Sequence, residues 1–179
     1  MHYRRANDAD FEKIFELQNK NLLSAINPSE RSDGFLATVF TIEQFREMND
    51  ALCVVVAVKG KKVCGYICTS PPDFFKKFPL QKAMLERCSQ ISHKNKPLSS
   101  YQTFVANPIC IDKSFRGTGV YLGLCNKVLE FIPKTYQLAV GLISPENKRH
   151  LKAIRQGKME AVDQFQFEEK TYLLFARFF

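Results

Sequence analysis

The fold is decided by one segment, Ile109-Cys110-Ile111-Asp112-Lys113-Ser114-Phe115-Arg116-Gly117-Thr118-Gly119-Val120. An apolar strand runs here into a turn with two glycines, and a periodic apolar stretch that predicts a helix follows the turn. Free N–H groups at the start of a helix attract anions, and glycine lets a phosphate approach the backbone without a Cβ in the way. Arg116 adds a fixed positive charge. The segment therefore predicts a diphosphate site between a strand and a helix.

This turn differs from two other phosphate-binding loops. Neither GxGxxG nor GxxxxGK[ST] occurs in the chain, so a dinucleotide-dependent oxidoreductase and a P-loop kinase lack the loop that they require. A short glycine turn before a helix is often only a turn, and on the pattern alone that interpretation stays open.

The rest of the chain alternates between strand and helix patterns. β-Branched or aromatic runs bounded by turn residues predict strands, and apolar residues that recur every three or four positions predict helices. The predicted order is strand 1–6, helix 7–22, helix 41–50, hairpin 52–58 with 63–69, helix 79–91, strand 101–111, helix 120–132, strand 137–143, helix 144–157, and hairpin 159–167 with 171–179. This order predicts a mixed α/β protein.

Local signals add detail to several of these elements. Pro108 cannot donate to a β-ladder, so an edge position or a bulge is expected within strand 101–111. Pro145 fits the first turn of a helix capped by Ser144. Residues 24–36 lack periodicity and predict a surface connection, and residues 93–100 predict a loop.

Size and composition are typical of one globular domain that spans residues 1–179. The chain is 45% hydrophobic and 25% charged. No apolar run approaches the ~18 residues that a membrane-spanning helix needs, and the N-terminus is too polar for a secretory signal, so we expect a cytoplasmic protein. The six cysteines form no CxxC pair, which disfavours disulfides and structural zinc.

The chain is basic, with 26 Lys and Arg residues against 18 acidic ones and a net charge of +8. This excess favours anionic partners such as nucleotides, nucleic acids or acidic surfaces. Five of the basic residues lie on or beside the last predicted helix: Lys148, Arg149, Lys152, Arg155 and Lys158. We expect most of them to form a solvated face, and the alternative is contact with a ligand phosphate. A nucleic-acid site is disfavoured because no aromatic residues are interleaved with them.

The turn resembles the signature [RQ]xxGx[GA] of the GCN5-related N-acetyltransferases, which follows the fourth strand of that family and binds the pyrophosphate of acetyl-CoA. Arg116 and Gly119 match the signature, and Tyr121 stands where the family has a small residue. If the Tyr121 ring points to the phosphates it crowds them, and if it turns to the core, binding survives.

The resemblance covers nearly the whole chain. Residues 3–18 are similar to the first strand and helix of the family, residues 54–67 to its second and third strands, and residues 144–162 to its closing helix. It implies a single-domain α/β fold with a mixed, mostly antiparallel sheet of about seven strands, helices on both faces, and splayed fourth and fifth strands.

What the resemblance implies for chemistry is direct attack of a neutral primary amine on the acetyl-CoA thioester in a ternary complex, without a metal. The expected cofactor-binding residues are Ile109, Cys110 and Ile111 through their backbone, then Arg116, Gly117, Thr118, Gly119, Val120, Tyr121 and Asn147. Many members protonate the leaving thiolate with a tyrosine, but that position is Ile154 here. Among the residues nearby in the sequence, His150 has the pKa best suited to act as the proton donor instead of that tyrosine. The alternative is that His150 is a solvated histidine without a catalytic role.

The sequence therefore predicts an N-acetyltransferase, with a noncatalytic CoA-binding or interaction module of the same fold as the alternative. The acceptor amine is not identified, and we expect residues 21–40 and 71–100 to build its site. Phe74, Phe75 and Phe78 line that site or belong to the core, and we favour the core. The expected partners are acetyl-CoA and the amine, with no membrane; a homodimer is left open.

Overall fold

The computed structural model describes residues 1–179 and contains one seven-stranded mixed sheet, one two-stranded hairpin and six α-helices. In chain order the elements are β1 (His2–Arg5), α1 (Asp8–Asn19), α2 (Ile42–Ala51), β2 (Cys53–Lys59), β3 (Lys62–Ser70), α3 (Pro72–Phe75), α4 (Pro79–Cys88), β4 (Ser92–His93), β5 (Lys96–Pro97), β6 (Thr103–Ile111), α5 (Val120–Leu129), β7 (Leu138–Ile143), α6 (Lys148–Gln156), β8 (Glu160–Phe167) and β9 (Lys170–Phe178). The large sheet has the order β1-β2-β3-β6-β7-β9-β8. None of the helices is both long and apolar enough for a transmembrane span.

Helices cover both faces of the sheet, as predicted. Successive residues of a strand point to opposite faces, and in β2 Val54 and Val56 join the core under α1 to α4 while Val55 and Ala57 join the core under α5 and α6. Because β2 is buried on both faces, its sequence is a continuous apolar run instead of an alternating one.

The fourth and fifth strands of the large sheet, β6 and β7, diverge along their length. They pair in parallel from Thr103 with Leu138 to Val105 with Val140, and no pairing follows although both strands continue. All other neighbours in the sheet are antiparallel. The predicted splaying of these two strands is confirmed, and it opens a gap beside residues 106–111.

Pro108 lies at a bulge on an interior strand. The register between β3 and β6 shifts here, because Ile67 pairs with Ile109 but Thr69 pairs with Ala106. The bulge is therefore confirmed. The alternative of an edge strand is wrong because β6 lies between β3 and β7.

Side-chain caps decide where the helices begin. The pattern of Thr41 followed three residues later by Gln44 indicates a capping box, and both of its reciprocal hydrogen bonds are present at the start of α2. The prediction that Ser144 caps the last helix is wrong, because the Asn147 Oδ1 accepts a hydrogen bond from the His150 N–H at 3.0 Å and α6 begins only at Lys148. Pro145 consequently lies in a turn before α6.

Three helices end three residues before their predicted ends. The apolar residues that extended the patterns, Leu22, Ile91 and Ile132, lie outside the helices and still pack against the core. An apolar periodic pattern indicates which residues are buried. The pattern overestimated the helix lengths because these residues stay packed against the core beyond the last helical turn.

Two predicted connections have regular structure. Residues Pro28–Asp33 form a 3-10 helix with no buried residue, and Leu36, the one buried residue of the segment 24–36, forms a bridge with Leu22. The predicted surface connection is confirmed, and its end is held to the protein at Leu36. The predicted loop at 93–100 contains the β4–β5 hairpin. Phe74 and Phe75 are buried core residues, as favoured from the sequence.

Candidate active site

The main cavity lies where β6 runs into the glycine turn, and its volume is about 320 Å³. We call it the turn cavity. Four parts of the chain line it: β6 at Ile109–Ile111, the turn from Arg116, the segment 33–36, and helix α6. The end of β6 and the glycine turn before α5 therefore line the same cavity.

The glycine turn presents free backbone donors. Gly117 and Gly119 have φ values of +79° and +85°, which are left-handed conformations that L side chains rarely adopt. The N–H groups of residues 117–120 donate to no backbone carbonyl. A Cβ built at Gly119 would contact nothing within 4 Å. Successive free N–H groups in an open turn are suited to bind an anion, so the geometry is compatible with the diphosphate site predicted for this segment.

Not every predicted residue of the turn lines the turn cavity. Arg116, Gly117, Gly119 and Tyr121 line it. Thr118 instead donates its hydroxyl to the Phe115 carbonyl at 2.8 Å, and the predicted residue Val120 is buried in the core. These two residues can reach a ligand only through their backbone N–H groups.

Arg116 is bonded mainly to the protein itself. Its Nε donates to the Ile111 carbonyl at 3.0 Å, Nη1 to the Asp33 carbonyl at 2.7 Å, and Nη2 to the Asn21 Oδ1 at 2.5 Å. The Arg116 side chain is only 12% exposed. Since a guanidinium has five N–H groups, these three bonds leave two for a ligand.

Arg149 and Asp33 form an ion pair at the mouth of the turn cavity. The Arg149 Nε donates to the Asp33 Oδ1 at 2.7 Å, and the Arg149 Nη1 would lie 3.8 Å from a Cβ on Gly117. Of the five basic residues of this region, Arg149 and Lys152 line the cavity, while Lys148, Arg155 and Lys158 are exposed and lie outside the lining. The solvated face predicted for most of them applies to these three.

Asp33 and Asn21, which bind Arg116, were not predicted as site residues from the sequence. They reach the turn only because residues 21–36 fold back over it, and this segment has no periodic pattern that would reveal such a contact. The one local signal is the Asp33-Gly34 pair, since Gly34 has a φ of +118°.

Tyr121 points away from the glycine turn. Its side chain is buried, and a Cβ on Gly157 would lie only 2.9 Å from its hydroxyl oxygen. Its ring also contacts His150, with ring centroids 6.1 Å apart. Burial raises the pKa of the Tyr121 hydroxyl. Of the two orientations left open by the sequence, the structure has the one in which the ring turns to the core.

His150 is half-buried and neutral near pH 7. Its Nε2 is buried and has no hydrogen-bond partner, and burial lowers the pKa of His150 to about 4. The alternative of a solvated histidine on a basic helix is therefore wrong. A neutral imidazole is a poor proton donor at pH 7, so its pKa opposes the predicted role as an acid. The family's tyrosine position, Ile154, is buried and lies outside the cavity lining.

We expect His150 to make the stability of the protein depend on pH. Its pKa is about 4 in the folded protein and about 6.5 in an unfolded chain, so its contribution is present above pH 6.5 and is lost as the pH falls toward 4. This loss is about 2–3 kcal/mol between pH 7.5 and pH 4.5. Urea unfolding of wild type and His150→Phe at both pH values measures it.

The variant His150→Phe should lose less stability than wild type over this range. The carboxylates with lowered pKa values, Asp10, Asp112 and Asp163, titrate at lower pH and affect both proteins equally. An identical pH dependence in the two proteins would show that His150 is not buried in its neutral form.

Cys110 lines the turn cavity but is not a nucleophile. Burial raises the pKa of the Cys110 thiol to about 12, and the thiol is the unreactive form. The backbone contacts predicted for residues 109–111 stay a prediction.

A second, smaller cavity of about 40 Å³ continues from the turn cavity into the gap between β6 and β7. We call it the gap cavity. The two cavities share five lining residues: Phe35, Leu36, Ile109, Asn147 and His150. Residues 35–38 and Gln81 also line the gap cavity, so the structure brings together parts of the two segments that were expected to build an acceptor site.

Solved structures of acetyltransferases share this architecture. No protein-family model and no curated protein sequence matches the chain. A ribosomal-protein-alanine N-acetyltransferase from Brucella melitensis is 16% identical with a TM-score of 0.64, covering 100% of both chains. An acetyltransferase of the GNAT family from Streptococcus pneumoniae is 14% identical with a TM-score of 0.64, covering 99% of this chain and 98% of that one.

A third structure was solved with CoA. A chain of the NatC complex bound to Gag peptide and CoA is 12% identical, with a TM-score of 0.66, covering 99% of this chain and 98% of that chain. At these identities the likeness concerns the fold. The chain therefore has the fold of the GCN5-related N-acetyltransferases.

Proposed function

We propose that the protein is an N-acyltransferase of the GCN5-related family that transfers an acetyl group from acetyl-CoA to a primary amine, with residues 1–179 acting as one catalytic domain in the cytoplasm. The observation that carries this proposal is the gap between β6 and β7, which opens directly onto the free N–H groups of the glycine turn. The same fold in a chain solved with CoA supports it.

The residues of the turn cavity fit the parts of acetyl-CoA. The free N–H groups of residues 117–120, the two remaining N–H groups of Arg116 and the guanidinium of Arg149 are donors for a diphosphate. The backbone of residues 109–111 lies along the route from the turn to the gap cavity. This route would place the thioester where the two cavities join.

The reaction needs little from side chains. The amine nitrogen attacks the thioester carbonyl carbon, an N–C bond forms, and the C–S bond breaks with its electron pair on sulfur. The proton lost by the nitrogen balances the one gained by the thiolate, so the products are an amide and free CoA. A β6 backbone N–H next to the carbonyl oxygen can stabilise the negative charge that develops there.

A noncatalytic CoA-binding module is the second candidate. It is favoured by one observation: His150, the predicted acid, has a pKa of about 4, and the family's usual tyrosine is Ile154, which is buried in the core. Such a protein would bind CoA in the same turn cavity and use it as a ligand only.

Turnover distinguishes the two candidates. The purified protein is incubated with acetyl-CoA and a panel of primary amines from pH 6 to pH 9, while free CoA thiol and the acetylated amine are measured. Amine-dependent release of CoA is expected from the enzyme. Tight acetyl-CoA binding without turnover at any pH would identify the module, and equal binding of acetyl-CoA and heparin would point to a general polyanion surface.

A further inference from the structure

The gap cavity is polar but carries no fixed charge. Its lining includes amide, hydroxyl and imidazole groups, and it contains no Asp, Glu, Lys or Arg. The only groups in it that titrate are His150 and Tyr172, whose pKa values are lowered and raised by burial, respectively, and both therefore stay neutral near pH 7. A charged ammonium or a substrate carboxylate would enter this cavity without a counter-charge, which is costly.

Gln81 gives this cavity one unused hydrogen-bond acceptor. The residue lies on α4, is 1% exposed, and lines the cavity together with Thr38. Its Nε2 donates to the Thr38 Oγ1 at 2.8 Å, and this bond holds the amide in place. The Gln81 Oε1 is buried and has no partner in the protein. A buried carbonyl oxygen is normally hydrogen-bonded, so a ligand donor is the partner that this oxygen lacks.

On the basis of the proposed function, we propose that the Gln81 Oε1 accepts a hydrogen bond from the acceptor nitrogen, and that the acceptor is the uncharged α-amine of a peptide or amino-acid amide. An acceptor oxygen can hold one N–H of a neutral amine and leaves its lone pair free to attack the thioester. It therefore positions the amine, while the uncharged lining of the cavity disfavours the protonated form.

Protonation and charge narrow the acceptor to this class. A peptide α-amine titrates near pH 7.7–8.0 and a lysine ε-amine near 10.4, so at pH 7.5 the neutral fraction of the α-amine is roughly 250-fold larger. No cation in the cavity would pair with the carboxylate of a free amino acid.

Competition among three acceptors tests the chemical class. The substrates are a short peptide amide with a free Ala α-amine, the same peptide with its α-amine blocked and one lysine, and free alanine, each with acetyl-CoA at pH 7.5. We expect kcat/KM for the α-amine peptide to exceed the other two by about 100-fold or more. Equal or better use of the lysine peptide or of free alanine would overturn the inference.

Gln81→Met tests the positioning role, because methionine keeps the length and burial of the side chain but removes the acceptor oxygen. We expect the kcat/KM for the α-amine peptide to fall about tenfold, with the dissociation constant of acetyl-CoA unchanged. Unchanged kcat/KM would overturn the role. If Gln81→Met does not fold, Gln81→Glu is used, and its pH–rate profile should shift because a carboxylate would hold the protonated amine; an unshifted profile would then overturn it.

Failure of this inference differs from failure of the proposed function. Turnover that prefers another amine, or that is insensitive to Gln81, removes only the inference. Binding of acetyl-CoA with no turnover of any amine removes the proposed function and the inference with it.

Discussion

The variant Gly119→Trp is expected to lose acetyl-CoA binding while it still folds. A side chain at this position would project into the turn cavity, since a Cβ there meets no protein atom within 4 Å. The indole would therefore occupy the space in front of the free N–H groups of residues 117–120. The left-handed φ of +85° adds a backbone strain of about 1–2 kcal/mol, which a protein of ordinary stability tolerates.

Gly60→Trp is the matched control for this variant. Gly60 has a φ of +61°, and a Cβ there also meets nothing within 4 Å, but the residue lies in the β2–β3 turn outside both cavities. The two substitutions thus introduce the same side chain and a similar strain. Only Gly119→Trp should block the ligand.

Thermal unfolding with and without acetyl-CoA measures the effect. A ligand at about 100 times its dissociation constant adds roughly 2.7 kcal/mol of stability, which raises the Tm by about 5–10 °C for a chain of this length. Wild type and Gly60→Trp should show this shift, and Gly119→Trp should show none. If Gly119→Trp still responds to acetyl-CoA, or if ADP and heparin shift all three proteins equally, the ligand does not bind at the turn.

The parts of the fold that the sequence could predict are local. The glycine turn, the β2–β3 hairpin and the capping box at Thr41 each depend on residues close together in the chain. The bulge at Pro108 was predictable because proline lacks the N–H group that a ladder needs. These features together were enough to predict the order of the elements, whereas the divergence of β6 from β7 was expected only from the family resemblance.

The parts of the site that could not be predicted depend on distant contacts. Asp33 and Asn21 bind Arg116 only because the segment between them folds over the turn. Ser144 was the expected cap of the last helix, but the hydrogen bond from the His150 N–H to the Asn147 Oδ1 places the start of α6 three residues later. The direction of the Tyr121 ring was set by Gly157, which leaves room for it under α6.

Substitution of Arg116 should lower the stability of the protein strongly. Its guanidinium donates hydrogen bonds to Ile111 at the end of β6, to Asp33 in the segment 33–36, and to Asn21 in the turn that follows α1. Arg116→Met would leave these buried acceptors unpaired, and we expect the free energy of unfolding to fall by about 2–4 kcal/mol. Arg116→Lys should lose nearly as much, because an ammonium is a compact point charge without the planar donor array. Urea unfolding at pH 7.5 measures both.

Arg149→Met separates stability from ligand binding. The Arg149 side chain is 46% exposed, and an exposed ion pair contributes about 0–1 kcal/mol, so this variant should be nearly as stable as wild type. Because its guanidinium faces Gly117 across the turn, we expect acetyl-CoA to bind about tenfold more weakly.

If instead Arg116→Lys keeps full stability and Arg149→Met binds acetyl-CoA normally, Arg116 serves as a simple phosphate ligand. The three internal hydrogen bonds of Arg116 favour a mainly structural role, in which this arginine holds the glycine turn in shape while Arg149 on α6 supplies the more exposed charge for the proposed ligand.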